Sequence, residues 1–207
     1  MKTMKLTLVL LVVAATSGCA VGNKYSYHNV NIALPVQGSG DLGLAVVEDR
    51  ADILSGDRKG DFVGVQRATL GNAFGVSTVS GNTLVEDFSE TLEIALTKSG
   101  FDVTVLEGIS NENADTAIAA VGKDRNVMLK VSDWRTDIYM NMTLFYDLTL
   151  SVLSGDGAVL ASTQSQGEEK LSGASMTAAG NSATATSALE MKIGRMFNDQ
   201  AIRDALQ

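Results

Sequence analysis

The chain has 207 residues, a formal net charge of −8, 45% hydrophobic residues, one cysteine and one histidine. That hydrophobic content suits a folded domain and excludes a disordered chain, and no internal repeat with a period of roughly 20 to 50 residues points to a solenoid or propeller. The acidic balance argues against nucleic acid and anionic headgroups as partners, and a lone cysteine excludes an intrachain disulfide.

Lys2 and Lys5 form a positive n-region ahead of an apolar run over residues 6–15, broken only by Thr7. A helix crossing the roughly 30 Å of hydrocarbon needs about 18 or more apolar residues, so this run reads as a cleavable signal peptide and not as a permanent anchor. It ends at Thr16, Ser17, Gly18 and Cys19, which resembles the lipobox of bacterial lipoproteins. Small residues there let the backbone enter a peptidase, and the cysteine is acylated before cleavage. Thr16 departs from the Leu usual at that place. The resemblance implies lipidation at Cys19 and attachment to a membrane through it. With Ala20, not Asp, after the cysteine, it also implies the outer membrane, facing the periplasm. Cleavage leaves 189 residues, enough for one domain, and loss of the two lysines takes the formal charge to −10.

The reading divides the chain into a signal peptide with lipobox at 1–18, a lipidated N-terminus and flexible tether at 19–40, and a single periplasmic α/β domain at 41–207. In the tether, residues 31–34 offer a short strand, and Pro35 and Gly38-Ser39-Gly40 suit a spacer. The stretch Gly38-Ser39-Gly40-Asp41-Leu42-Gly43 matches a dinucleotide-binding fingerprint, but it precedes a strand where the fingerprint follows one, so a linker is expected. Residues 42–47 read as a buried strand, and 51–81 as loops with brief strands around Phe62 and Phe74.

Thr83 with Glu86 forms a capping box that starts a helix. Val85, Phe88, Leu92, Ala95 and Leu96 make its apolar stripe, and Gly100 supplies the left-handed residue that ends it. Strands are expected at 101–106 and 126–133, with a short helix at 114–121 between them. From Met140 to Val152 every even position is apolar or aromatic, the mark of a half-buried strand. The turn 154–157 returns it as a polar strand over 158–166, which is expected to be an edge. A final helix carries Ala185, Leu189, Ile193, Met196 and Phe197 inward and ends near Leu206, weakened at Gly194. The fold class is α/β of the α+β type: a mostly antiparallel sheet backed by two main helices in one domain.

The parts for familiar chemistry are missing from the sequence. His28 falls in the expected tether, so neither a Ser-His-Asp triad nor a histidine-rich metal site can be assembled. Asp133, Asp137, Asp147, Glu168 and Glu169 lie on or near strands and could serve a carboxylate-dependent hydrolase, but nothing selects a pair. Trp134 and Tyr139 could line a groove, although packing at the sheet end explains them more simply. No catalytic residue, cofactor or metal site is expected.

The residues Asn31-Ile32-Ala33-Leu34-Pro35, Val46-Val47-Glu48-Asp49-Arg50 and Phe62-Val63-Gly64 resemble the YajG-type family of bacterial lipoproteins. So do the 84–100 helix with its following strand and the 127–134 strand with its hairpin. That resemblance implies an antiparallel sheet backed by helices and an envelope role without catalysis. The expected function is a membrane-anchored, non-catalytic periplasmic binding or envelope-accessory module, its partners envelope proteins or further copies of itself. A subunit of a larger secretion or transport complex is the first alternative, and a cell-wall hydrolase the second.

Overall fold

A computed structural model describes residues 23–68, 71–173 and 177–207. Cys19 and the signal peptide lie outside the described residues. The strands are β1 (Lys24–Tyr25), β2 (Gly40–Glu48), β3 (Phe62–Arg67), β4 (Ala73–Thr78), β5 (Phe101–Leu106), β6 (Arg125–Ile138), β7 (Met142–Ser154) and β8 (Val159–Leu171). The helices are α1 (Ala51–Leu54), α2 (Leu84–Lys98), α3 (Ala114–Val121), α4 (Ala178–Phe197) and α5 (Gln200–Ala205). The result is a single α+β domain in which helices pack on an eight-stranded, curled mixed sheet.

β6 organises the sheet. One side pairs antiparallel with β7 from Arg125 to Ile138, and β7 pairs antiparallel with β8. The other side is shared: its first half pairs parallel with β2 and its last three residues with β3. β5 extends the sheet beyond β2 in parallel, and β4 and β1 extend it beyond β3. A register shift between Val131 and Asp133 reverses which positions face inward. Before it Val127, Leu129 and Val131 are buried; after it Trp134, Thr136 and Ile138 are. A strict period of two ended the expected strand at 133 because a bulge inserts one residue and breaks the alternation.

α2, α4 and α5 share a large core with the inner face. α3 covers a smaller cluster of Ala45, Leu106, Ile118 and Leu153, built from positions of the opposite parity. The α2 capping box is present in both directions, with the Thr83 hydroxyl accepting from the Glu86 N–H at 3.3 Å and Glu86 accepting from the Thr83 N–H at 2.7 Å. Gly100 takes φ +100° after the last turn, as the ending of α2 requires.

Three expectations give way. Residues 23–38 are not a free spacer. Tyr25, Tyr27, Val30, Ile32, Leu34 and Val36 are all buried, while Asn29, Asn31, Ala33 and Pro35 are exposed, so the segment is an extended strap with one apolar edge. Between 26 and 39 it joins no ladder, and side chains satisfy its backbone instead. Thr91 on α2 donates to the Tyr27 carbonyl at 2.6 Å and accepts from the Val30 N–H at 3.1 Å, while Thr186 on α4 donates to the Ser26 carbonyl at 2.7 Å. Gly38 passes directly beneath the Phe101 ring, where a Cβ would lie 2.0 Å from a ring carbon, and its N–H donates to the Ser99 carbonyl. Gly38 therefore permits close packing, and Gly40 takes φ +100° in open space.

The final helix is two helices. Asn198 closes α4, and the Asp199 carboxylate caps α5 by accepting from the Ala201 and Ile202 N–H groups. The even-numbered stripe begins at Met142, because Tyr139 to Asn141 form the β6–β7 turn and leave Met140 83% exposed.

Candidate functional site

The carboxylates picked out by the sequence are dispersed among separate partners. Asp137 receives a two-pronged contact from Arg67 across β3 and β6, with Nη2 to Oδ2 at 2.6 Å. Glu169 on β8 accepts from Lys192 of α4 at 2.5 Å. Lys192 is almost wholly buried, and its ammonium lies 3.9 Å from the centre of the Tyr146 ring. Glu168 stands opposite Phe145 on the exposed β8.

Asp133 and Asp147 are brought together, as direct cross-strand partners on β6 and β7. Burial raises the Asp133 carboxyl above its ordinary range, with Arg135 opposing the shift. Arg135 donates to Asp133 at 3.1 Å and lies over the Phe145 ring at 4.5 Å, while Gln164 donates to Asp147 at 2.8 Å. These two carboxylates occupy a strand face with polar neighbours and line neither of the two cavities described below.

Trp134, expected to pack at the sheet end, is fully buried at the centre of a ring cluster. It meets Tyr27 and Phe88 edge to face, with centroids 6.0 and 5.5 Å apart, and Tyr27 meets Phe88 and Tyr25 in the same manner. Burial pushes the Tyr25 phenol up to about 12 and that of Tyr27 further still, so both are neutral throughout the physiological range. Tyr139 is 56% exposed.

Sequence reasoning drew no site from Glu48, Asp49 and Arg50. Arg50 is 3% exposed. It donates to Glu48 at 2.8 and 2.6 Å, to the Phe62 carbonyl at 2.6 Å and to the Gly60 carbonyl at 3.1 Å. A buried guanidinium is tolerated only with such a set of acceptors, and here it fastens the entry of β3 to the end of β2. Asp49, on the other side, accepts from Ser132, faces Lys130 at 3.5 Å and is contacted by the Asn111 amide.

The larger concave feature is a groove of about 580 Å³ at the C-terminal ends of β2 and β5, bounded by the first turns of α2 and by residues 106–109. Val46, Val85, Val105 and Ile109 give it an apolar floor, and Glu86, Glu90, Glu93 and Glu107 an acidic rim. The size suits a ligand or a peptide segment, and the carboxylates favour a cationic one. A second hollow of about 380 Å³ between the end of β8 and α4 is walled mainly by small residues, including Gly180, Ala183, Thr184 and Ala188. Among the described residues no group of three or more histidine, cysteine or carboxylate side chains could hold a metal ion. None of the described helices is long and apolar enough to cross a membrane.

No family model matches the sequence, and neither does any curated protein. Solved structures do. Protein XCC0632 from Xanthomonas campestris, of family DUF330, is similar to this chain with a TM-score of 0.57 at 15% identity, over 87% of this chain and 95% of its own. At that identity the likeness establishes a shared fold. Lipoprotein GNA1162 from Neisseria meningitidis aligns over 77% of this chain and 99% of its own at 12% identity and TM-score 0.38. A PelC dodecamer from Paraburkholderia phytofirmans aligns over 76% and 91% at 14% identity and TM-score 0.37. These last two superpose too loosely to bear on what the chain does.

Proposed function

We propose that this chain is a bacterial envelope lipoprotein, processed before Cys19, acylated there and held in the outer membrane with its domain in the periplasm, where it binds a partner and performs no catalysis. The anchor rests on residues 2–19 and on the YajG-type resemblance. For the binding role, the supporting observation is the groove beside α2, whose apolar floor and acidic rim suit a segment carrying basic and apolar side chains. The absence of catalysis is inferred from the company the carboxylates keep: Asp137, Asp147 and Glu169 each meet a donor from another strand or helix, and Asp133 its neighbour Arg135.

Two measurements test this. Replacing Cys19 by Ala should abolish palmitate labelling and release the domain from membranes; labelling that persists would refute the anchor. A photo-crosslinking residue at Val105 should capture an envelope protein in intact cells, and E90Q with E93Q should weaken that capture. No crosslink at Val105 would sink the groove as the binding site.

A second reading, a subunit of a larger envelope assembly, is favoured by β8. Among the described residues its 13 residues pair with β7 alone, which leaves one side of the strand able to accept a strand from another chain. A monomer by light scattering, with and without detergent, would remove it.

A further inference from the structure

Asn23 lies alongside the middle of β4, a few residues from the end of the sheet where β3, β6 and β8 finish and β4 and β7 begin. Lys24 and Tyr25 pair parallel with Ser77 and Thr78, and the Ser77 N–H donates to the Asn23 carbonyl at 3.2 Å. The Asn23 amide reaches Gln66, which stands opposite Phe74 on β4 and beside Ile138 on β6. From Tyr25 back to Asn23 the chain therefore runs in the direction of Ala73 and of the turn at 139–141. Cys19 is four residues before Asn23, and four residues span at most about 14 Å. Of the tether expected at 19–40, residues 23–38 belong to the folded domain. A lipid on Cys19 would hold this end of the domain against the bilayer.

That end carries exposed apolar side chains. Met140 is 83% exposed, Tyr139 56% and Phe74 37%. Phe74 has the same parity as the buried Val76 and Thr78, so it continues the inner face past its cover. Residues 71–75 and 138–143 contain no charged side chain, and the charges beside them balance: Arg67 pairs with Asp137 across β3 and β6, Lys192 with Glu169, and Glu168 and Lys170 on β8 offset each other in sign. On an acidic domain this matters, since anionic headgroups repel the carboxylate-bearing faces but not this one. Tyrosine suits the headgroup layer, where its ring and its hydroxyl each find a matching environment. The other exposed apolar pair on the long hairpin, Val159 and Leu160, lies beyond the far turn, and the 12-residue run along β7 from Met142 puts it about 40 Å away.

We propose that Phe74, Tyr139 and Met140 dock into the headgroup layer of the membrane that anchors Cys19, so that the domain stands with its long hairpin pointing away from the bilayer. The proposal rests on the lipoprotein reading, and the experiment separates the two. Full-length protein purified from membranes is first weighed for acylation at Cys19. Acylation uses the native thiol, so M140C or L160C supplies the free one for a polarity-sensitive fluorophore. The labelled protein is placed in phosphatidylethanolamine–phosphatidylglycerol vesicles and titrated with iodide. The expected result is emission at 140 that is blue-shifted and severalfold less quenched than at 160.

Equal quenching at the two positions in acylated protein overturns the docking and leaves the anchor standing. Absence of lipid on Cys19 overturns the anchor, and the docking with it, before any probe is read. Protection at 140 in cells but not in vesicles assigns the surface to a protein partner and also overturns the proposal. Because Met140 and Leu160 are both exposed, neither variant disturbs the fold.

Discussion

Asp87 is fully buried on α2, where Ser80 donates to one carboxylate oxygen at 2.7 Å. Burial raises its carboxyl above the ordinary value, while hydrogen bonding from Ser80 and Asn82 and the field of His28 partly oppose the shift. The folded state then holds the proton more tightly than the unfolded chain. Stability from this group is full below the unfolded value and falls as pH rises through the folded one. D87N keeps an acceptor for Ser80 and removes that fall. Its urea midpoint near neutral pH should equal or exceed the parent's, with a flatter profile through the acid range. A clearly lower midpoint would mean that the favourable field of the α2 N-terminus outweighs the cost of burial. Periodicity named Phe88, Leu92 and Leu96 on this helix because apolar residues announce a buried face. Asp87 and Thr91 occupy the same face, yet their chemistry suggests solvent, and only the neighbours Ser80, Tyr27 and Val30 explain why they are inside. His28, assigned no role from sequence, has a buried Nδ1 and acts on Asp87 through its field.

At the scale of elements, local signals worked where one segment contains the whole cause. The α2 start is set by Thr83 and Glu86 alone, and T83A should cost about 1 kcal/mol, lowering the melting temperature of a domain this size by about 2–4 °C. An unchanged melting temperature would show that tertiary packing alone holds the first turn. β5 and α3 likewise fall where their patterns end, at Phe101–Leu106 and Ala114–Val121. Boundaries failed where a distant partner decides them. β6 runs on to Ile138 because β3 and β7 supply its outer pairs after the bulge, and β8 runs on to Leu171 because β7 is equally long. The break between α4 and α5 falls at Asn198 and Asp199, not at Gly194, since a capping carboxylate stops a helix more firmly than a glycine weakens it.

At the scale of the molecule, the strap makes the N-terminal boundary of the domain a matter of stability. Each of its six buried side chains is worth about 1.5–3 kcal/mol if apolar and fully enclosed, and the group together rivals the net stability of roughly 5–15 kcal/mol typical of a domain. A chain starting at residue 23 should unfold cooperatively in urea, whereas one starting at residue 37 should show no cooperative transition. If both unfold alike, the strap is an ornament on a core that stands without it. By itself the sequence determined what adjacent residues can encode: the capped helix, the alternating strand, the turn at Ser154 to Gly157 and the α+β class. Tertiary structure alone decided the assignment of 23–38 to the core, the enclosure of Trp134, the dispersal of the carboxylates and the placing of Phe74, Tyr139 and Met140 at one end of the sheet. Each of those depends on strands distant in sequence being brought side by side, and a one-residue bulge in β6 is enough to change which side chains they present.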